Sequence, residues 1–155
     1  MTRRLRIATY VALSLYVAFM LAVLLWPSPV DKPVSGQIRE VINTAHSAGA
    51  PKNLGYTLIE NVGNIALFVP LGALLAMLLP RPRRWLALAF GFLFACAIEI
   101  TQGLLLPERT ASWVDVVSNT IGTLIGLLLI LGLHFLRRQW KRSVLQDSSR
   151  ASPRV

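Results

Sequence analysis

An all-α membrane protein, four transmembrane helices in an antiparallel bundle with both termini cytoplasmic, is the fold class this sequence predicts. Three observations predict it. Four apolar blocks, carrying almost no charge, are each long enough to cross a bilayer. Clusters of arginine and lysine alternate with those blocks. The composition is that of a lipid-facing chain: of 155 residues, 54% are hydrophobic and 15% charged, with a mean hydropathy of +0.57. That much charge is too little to cover a water-exposed surface, and the length leaves room for one membrane domain over residues 1–155.

The first span is expected over residues 7–26, an uncharged stretch closed by Pro27, Ser28 and Pro29. Arg3, Arg4 and Arg6 before it resemble the start of a secretory signal. The apolar run is longer than a signal's core and no small-x-small site adjoins its end, so an uncleaved anchor is expected. An outer loop follows over residues 27–57. Within it Ile38, Val41, Ile42 and Ala45 recur at helical spacing, with Arg39, Glu40, Asn43 and His46 between them. This predicts a short amphipathic helix on the membrane surface, His46 solvated on its polar face. The second span is expected over 58–79, closed by Pro80, Arg81 and Pro82, with Pro70 placing a kink at its middle. The third is expected over 85–106, interrupted by Glu99 and Gln102. The fourth is expected over 116–136, ended by Arg137 and Arg138 ahead of a basic tail over 137–155.

Charge sets the orientation. Of 16 Lys and Arg residues, 12 fall in the amino terminus, the turn at Arg81, Arg83 and Arg84, and the carboxyl tail. The loops on the other side carry only Lys32, Arg39, Lys52 and Arg109. The positive-inside rule then places both termini in the cytoplasm of a plasma-membrane protein. The formal charge of +9 is accounted for by topology and by contact of Arg137, Arg138, Lys141 and Arg142 with anionic lipid, so nucleic acid is not an expected partner. Cys96 is the single cysteine, which excludes an intrachain disulfide, and its apolar setting reads as packing. His134 has no second ligand near it in sequence, and neither a metal nor a cofactor is expected.

Antiparallel threading brings the polar residues of three spans to the outer half of the membrane. Span two opens with Glu60, Asn61 and Asn64; span three carries Glu99, Thr101 and Gln102 in its last third; span four opens with Asp115 and Asn119. Thr57 to Glu60 and Ser112 to Asp115 both fit a capping box, in which the acid satisfies free amides at a helix start. Asn64 and Asn119 also suit simple interhelical hydrogen bonds. Glu99 is more demanding. It precedes Pro107 by eight residues, roughly 12 Å at 1.5 Å per residue. A carboxylate at that depth costs at least about 2.5 kcal/mol. It must be neutral, paired, or facing a wet cavity, and Arg109 is the nearest cation in sequence on that side. Glu99 and Gln102 share a helix face at i and i+3; Asp115, Asn119, Gly122 and Gly126 share another. Gly122 and Gly126 form a small-xxx-small pair that permits close helix approach.

Three elements carry a family resemblance. Asn64-Ile65-Ala66-Leu67-Phe68-Val69-Pro70-Leu71-Gly72, then Glu99-Ile100-Thr101-Gln102, then Arg109, Asp115, Asn119, Gly122 and Gly126 resemble the motifs of the VanZ-like family in order and spacing. The resemblance covers residues 60–126, nearly half the chain; the first span and outer loop carry no matching motif. It implies a small integral membrane protein of the cell envelope, the family's namesake being associated with resistance to teicoplanin, a lipid-bearing glycopeptide. It singles out Asn64, Glu99, Gln102, Arg109, Asp115 and Asn119 as ligand-binding candidates without giving any of them a chemical role.

Two functions are carried forward, with membrane lipids as partners in both. The first is a binding protein for a lipid-linked envelope molecule or a lipid-bearing glycopeptide at the outer leaflet, with Arg109 meeting a phosphate or carboxylate. The second is an enzyme acting on a lipid-linked cell-wall or polysaccharide intermediate, with Glu99, Asp115 and Arg109 as catalytic candidates. A small transporter or assembly subunit is a third expectation and would require oligomers, since four spans leave little room for a pathway.

Overall fold

A computed structural model describes residues 2–27, 35–49, 55–107 and 111–151, with side chains left aside at 35, 56, 141 and 144–151. Five helices account for nearly all of it: α1 (Arg3–Leu24), α2 (Ser35–Ser47), α3 (Tyr56–Leu78), α4 (Trp85–Leu105) and α5 (Trp113–Ala151). A 3₁₀ turn at Arg81–Arg83 joins α3 to α4. Four of the five, α2 excepted, are long and apolar enough to cross a membrane.

Local chemistry sets most of the boundaries. The Thr2 hydroxyl caps α1 by accepting the Leu5 amide at 3.3 Å. α1 stops at Leu24 ahead of Pro27, and Leu79 is extended because Pro80 follows it. α3 starts earlier than the expected capping box. Gly55 is its N-cap and makes no side-chain cap bond, so Thr57 already lies inside the helix and does not cap it. α5 continues past residue 136, where the apolar span was expected to end. The helix runs on to Ala151, because charge ends an apolar span without ending a helix. Residues 137–151 contain neither Gly nor Pro, and four Arg and two Gln among them are good helix formers. At 1.5 Å per residue its 39 residues make a rod about 58 Å long, near twice the hydrocarbon thickness of a bilayer.

The spans run up, down, up, down. The Gln102 side chain of α4 donates to the Leu24 carbonyl of α1 at 2.7 Å, and Asn64 of α3 donates to Asp115 of α5 at 3.0 Å. The last turns of α1 and α4 therefore share an end with the first turns of α3 and α5. Leu5, Leu79, Arg84 and Arg137 meet at the opposite end. α3 is central and makes its most extensive contact with α5, its parallel neighbour. Phe68 and Met20, both fully buried, anchor a core with Leu24, Leu71, Ala95, Ile98 and Val116; Ala76, Leu127 and Ile130 form a second core towards the other end. Outward-facing Leu15, Leu93, Leu104 and Leu128 remain exposed, as lipid-facing positions must.

Glycines allow the α3–α5 approach. A Cβ on Gly122 would collide with the Ile65 carbonyl, and one on Gly126 with the Val69 carbonyl, so the two helices touch backbone to backbone. Pro70 sits inside α3, which stays helical through it. Beside the carbonyl that proline leaves without a donor, the Tyr16 hydroxyl of α1 donates to the Leu67 carbonyl at 2.7 Å. α2 forms where its spacing places it and rests on the start of α3, with Ile42 buried and Val41 exposed. His46 departs from expectation. It is half-buried and its Nε2 is enclosed without a hydrogen-bond partner, where a solvated polar face was expected.

Candidate functional site at the Glu99 end of the bundle

Helices bring the polar residues together at one end, in pairings that sequence spacing does not dictate. Glu99, only 6% exposed, lies two turns inside the end of α4. Its Oε2 accepts the backbone amide of Ser112 at 2.7 Å, at the entrance to α5. The expected capping box would have filled that amide with Asp115. Instead the acid comes from the preceding span, and Asp115 receives the Asn64 amide at 3.0 Å. Ser112 still contributes its carbonyl, which accepts the amides of Asp115 and Val116 and starts the helix. Glu99 and Asp115 thus both serve the first turn of α5. Its unpaired amides and positive dipole end favour negative charge there.

This supplies a physical account of a buried acid at depth. The described partner of Glu99 is an amide at a helix start. The cation expected for it, Arg109, lies outside the described residues. Gln102 is 4% exposed, and the Leu24 carbonyl it occupies is among the last carbonyls of α1, which have no partner within that helix. Gln102 therefore ties α4 to α1, while Glu99, one turn earlier, ties α4 to α5. Asn119 is 1% exposed, and its Oδ1 has no hydrogen-bond partner; the same holds for the enclosed Oδ1 of Asn61. An unmet acceptor in an apolar interior costs about 1–3 kcal/mol. Both acceptors are enclosed by the packed helices at this end of the bundle.

A cavity of about 280 Å³ opens beside Glu99, between α4 and the start of α5. Its walls are Cys96, Ile100, Ala111, Ser112, Trp113 and Val116, almost wholly apolar apart from the carboxylate. Ile100 and Trp113 are 60% and 77% exposed, so the opening faces sideways, where lipid would lie. Sequence reasoning missed these wall residues. The available signal was position: Cys96 and Ile100 flank Glu99 on α4, but apolar residues in a membrane span look alike whether they face lipid or a cavity. Among the described residues, no three His, Cys, Asp or Glu side chains converge to hold a metal ion.

A family model described as VanZ/LLP1 matches residues 13–137. The match takes in most of α1 and the outer loop, where no motif was legible. No curated protein and no solved structure matches the chain.

Proposed function

The chain belongs to the VanZ/LLP1 family, and we propose that it acts as a binding protein in the cell envelope, taking the hydrocarbon chain of a lipid-linked molecule or of a lipid-bearing glycopeptide. The observation that carries this reading is the Glu99 cavity, an apolar pocket entered from the lipid side with one carboxylate in its wall. An acyl or isoprenoid chain matches its lining and reaches it without leaving the bilayer. The polar headgroup would then lie over the first turns of α3 and α5, beside the part-buried Asn64–Asp115 pair. The positive-inside rule favours the outer leaflet for this end of a plasma-membrane protein, with Arg6, Arg84 and Arg137 on the cytoplasmic side.

Drug susceptibility tests the reading. A Gram-positive host expressing the chain is compared with one expressing Glu99→Gln at matched membrane levels. Protection against teicoplanin but not vancomycin, lost in the variant, is the expected result, because the lipid tail is a major difference between the two drugs. A photoreactive acyl-lipid probe supplies a direct readout, with crosslinks expected at Ile100 or Trp113. Crosslinking that ignores both residues and is equal in the variant overturns the proposal.

A second reading has one observation in its favour, the placement of Glu99 and Asp115 at the same helix start. Two carboxylates in unlike surroundings suit a general acid and base acting on a lipid-linked intermediate. Turnover of a labelled intermediate that disappears in Glu99→Gln would favour it; full turnover in that variant would remove Glu99 from the mechanism.

A further inference from the structure

The opposite end of the bundle holds a larger cavity, about 830 Å³, lined by α1, α3, the α3–α4 turn and α5. Arg6, Arg81, Arg84 and Arg137 line it together with His134, and among the described residues no carboxylate does. Its remaining walls, Met77 and Leu133 among them, are apolar. Arg84 is the decisive residue. It is only 8% exposed, and its Nε is enclosed without a hydrogen-bond partner. Arg81 and Arg138 stand near enough to repel it. A guanidinium buried among like charges needs an anion to offset its desolvation. Among the acids with described side chains, Glu40, Glu60, Glu99 and Asp115 sit on α2 or in the opposite half of the bundle and cannot supply one. Asp147 lies ten residues past Arg137 on α5, roughly 15 Å further along the helix.

We infer that this cavity is a binding site for a phosphate group, presented by the headgroup of an anionic membrane lipid. Arginine forks match phosphate oxygens in pairs, and four from three segments, α1, the α3–α4 turn and α5, can surround one group. A soluble phosphate would leave the apolar walls unused, whereas a lipid fills them with the upper part of its acyl chains. The inference is independent of the Glu99 cavity and of the function proposed for it.

The test uses the full chain in phosphatidylcholine nanodiscs doped with phosphatidylglycerol, with retained lipid measured by native mass spectrometry. Phosphatidylglycerol should be retained over phosphatidylcholine, and Arg84→Gln should lower its retention about fivefold or more. Arg137→Gln repeats the test at a second cavity residue in case Arg84→Gln fails to fold. Arg83→Gln, exposed in the same turn as Arg84 but outside the cavity lining, should have little effect. Equal losses in Arg84→Gln, Arg137→Gln and Arg83→Gln would reduce the effect to diffuse charge and overturn the site, as would absence of any lipid preference. A parallel arm adds inorganic pyrophosphate to undoped nanodiscs. Saturable binding that Arg84→Gln abolishes upholds the phosphate site and moves its source to solution.

Discussion

Replacing Gly122 with alanine puts a methyl group where α3 and α5 meet most tightly. Built on the existing backbone, the new Cβ overlaps the Ile65 carbonyl oxygen and lies 2.8 Å from the Phe68 Cβ; ordinary contact begins at 3.4 Å, so the deficit is at least about 0.6 Å and is largest at the carbonyl. Neither obstacle can rotate away, so the helices must separate. Overpacking of this kind costs about 1–3 kcal/mol. The same separation would stretch the Asn64–Asp115 bond, 3.0 Å long and two turns from Gly122, to about the limit of a hydrogen bond, and interhelical bonds in a membrane are worth about 0.6 kcal/mol on average. The expected loss is therefore about 1.5–3.5 kcal/mol, measured by reversible unfolding in bicelles. Gly132→Ala on the same helix is the control, since nothing lies within 4 Å of a Cβ there. Because Gly126 lies on the same seam, Gly122→Ala combined with Gly126→Ala should cost less than the separate losses together, the helices having already moved apart. A Gly122→Ala protein as stable as Gly132→Ala would refute the backbone-to-backbone seam.

Two further outcomes follow from named bonds. Glu99→Gln retains an oxygen to accept the Ser112 amide and should fold, whereas Glu99→Ala leaves that amide unmet and should lose about 1–3 kcal/mol in the same unfolding assay. Tyr16→Phe removes the hydroxyl that meets the Leu67 carbonyl and should cost roughly 0.5–1.5 kcal/mol; an unchanged stability would mean that this bond adds nothing to the apolar contacts and the Gln102–Leu24 bond that hold α1.

The spans, their order and the surface helix α2 were legible because hydropathy, helical periodicity and proline breaks are local signals. The glycine seam was legible too, since small residues four apart have few other uses in an apolar helix. What sequence could not supply was the choice among partners. Ser112 and Asp115 satisfy a local capping rule, and only the packing of α4 against α5 reveals that Glu99 takes the amide and frees Asp115 for Asn64. Gln102 shares a face with Glu99, yet one turn of helix is enough to send them to different neighbours. The continuation of α5 beyond residue 136 was not legible, because hydropathy reports where lipid stops and not where the backbone changes course. Arg84 was read as one charge in a topology signal; its burial depends on three other helices closing around it.

The length of α5 has a mechanical consequence. One uninterrupted helix carries Asp115 and Asn119 in its first two turns, Arg137 well beyond its middle, and then continues to Ala151. A rod about 58 Å long that pivots by roughly five degrees at one end moves its far tip by about 5 Å. The glycine seam with α3 opposes such a tilt close to the Asp115 end, and beyond Gly126 no break in the helix would absorb it.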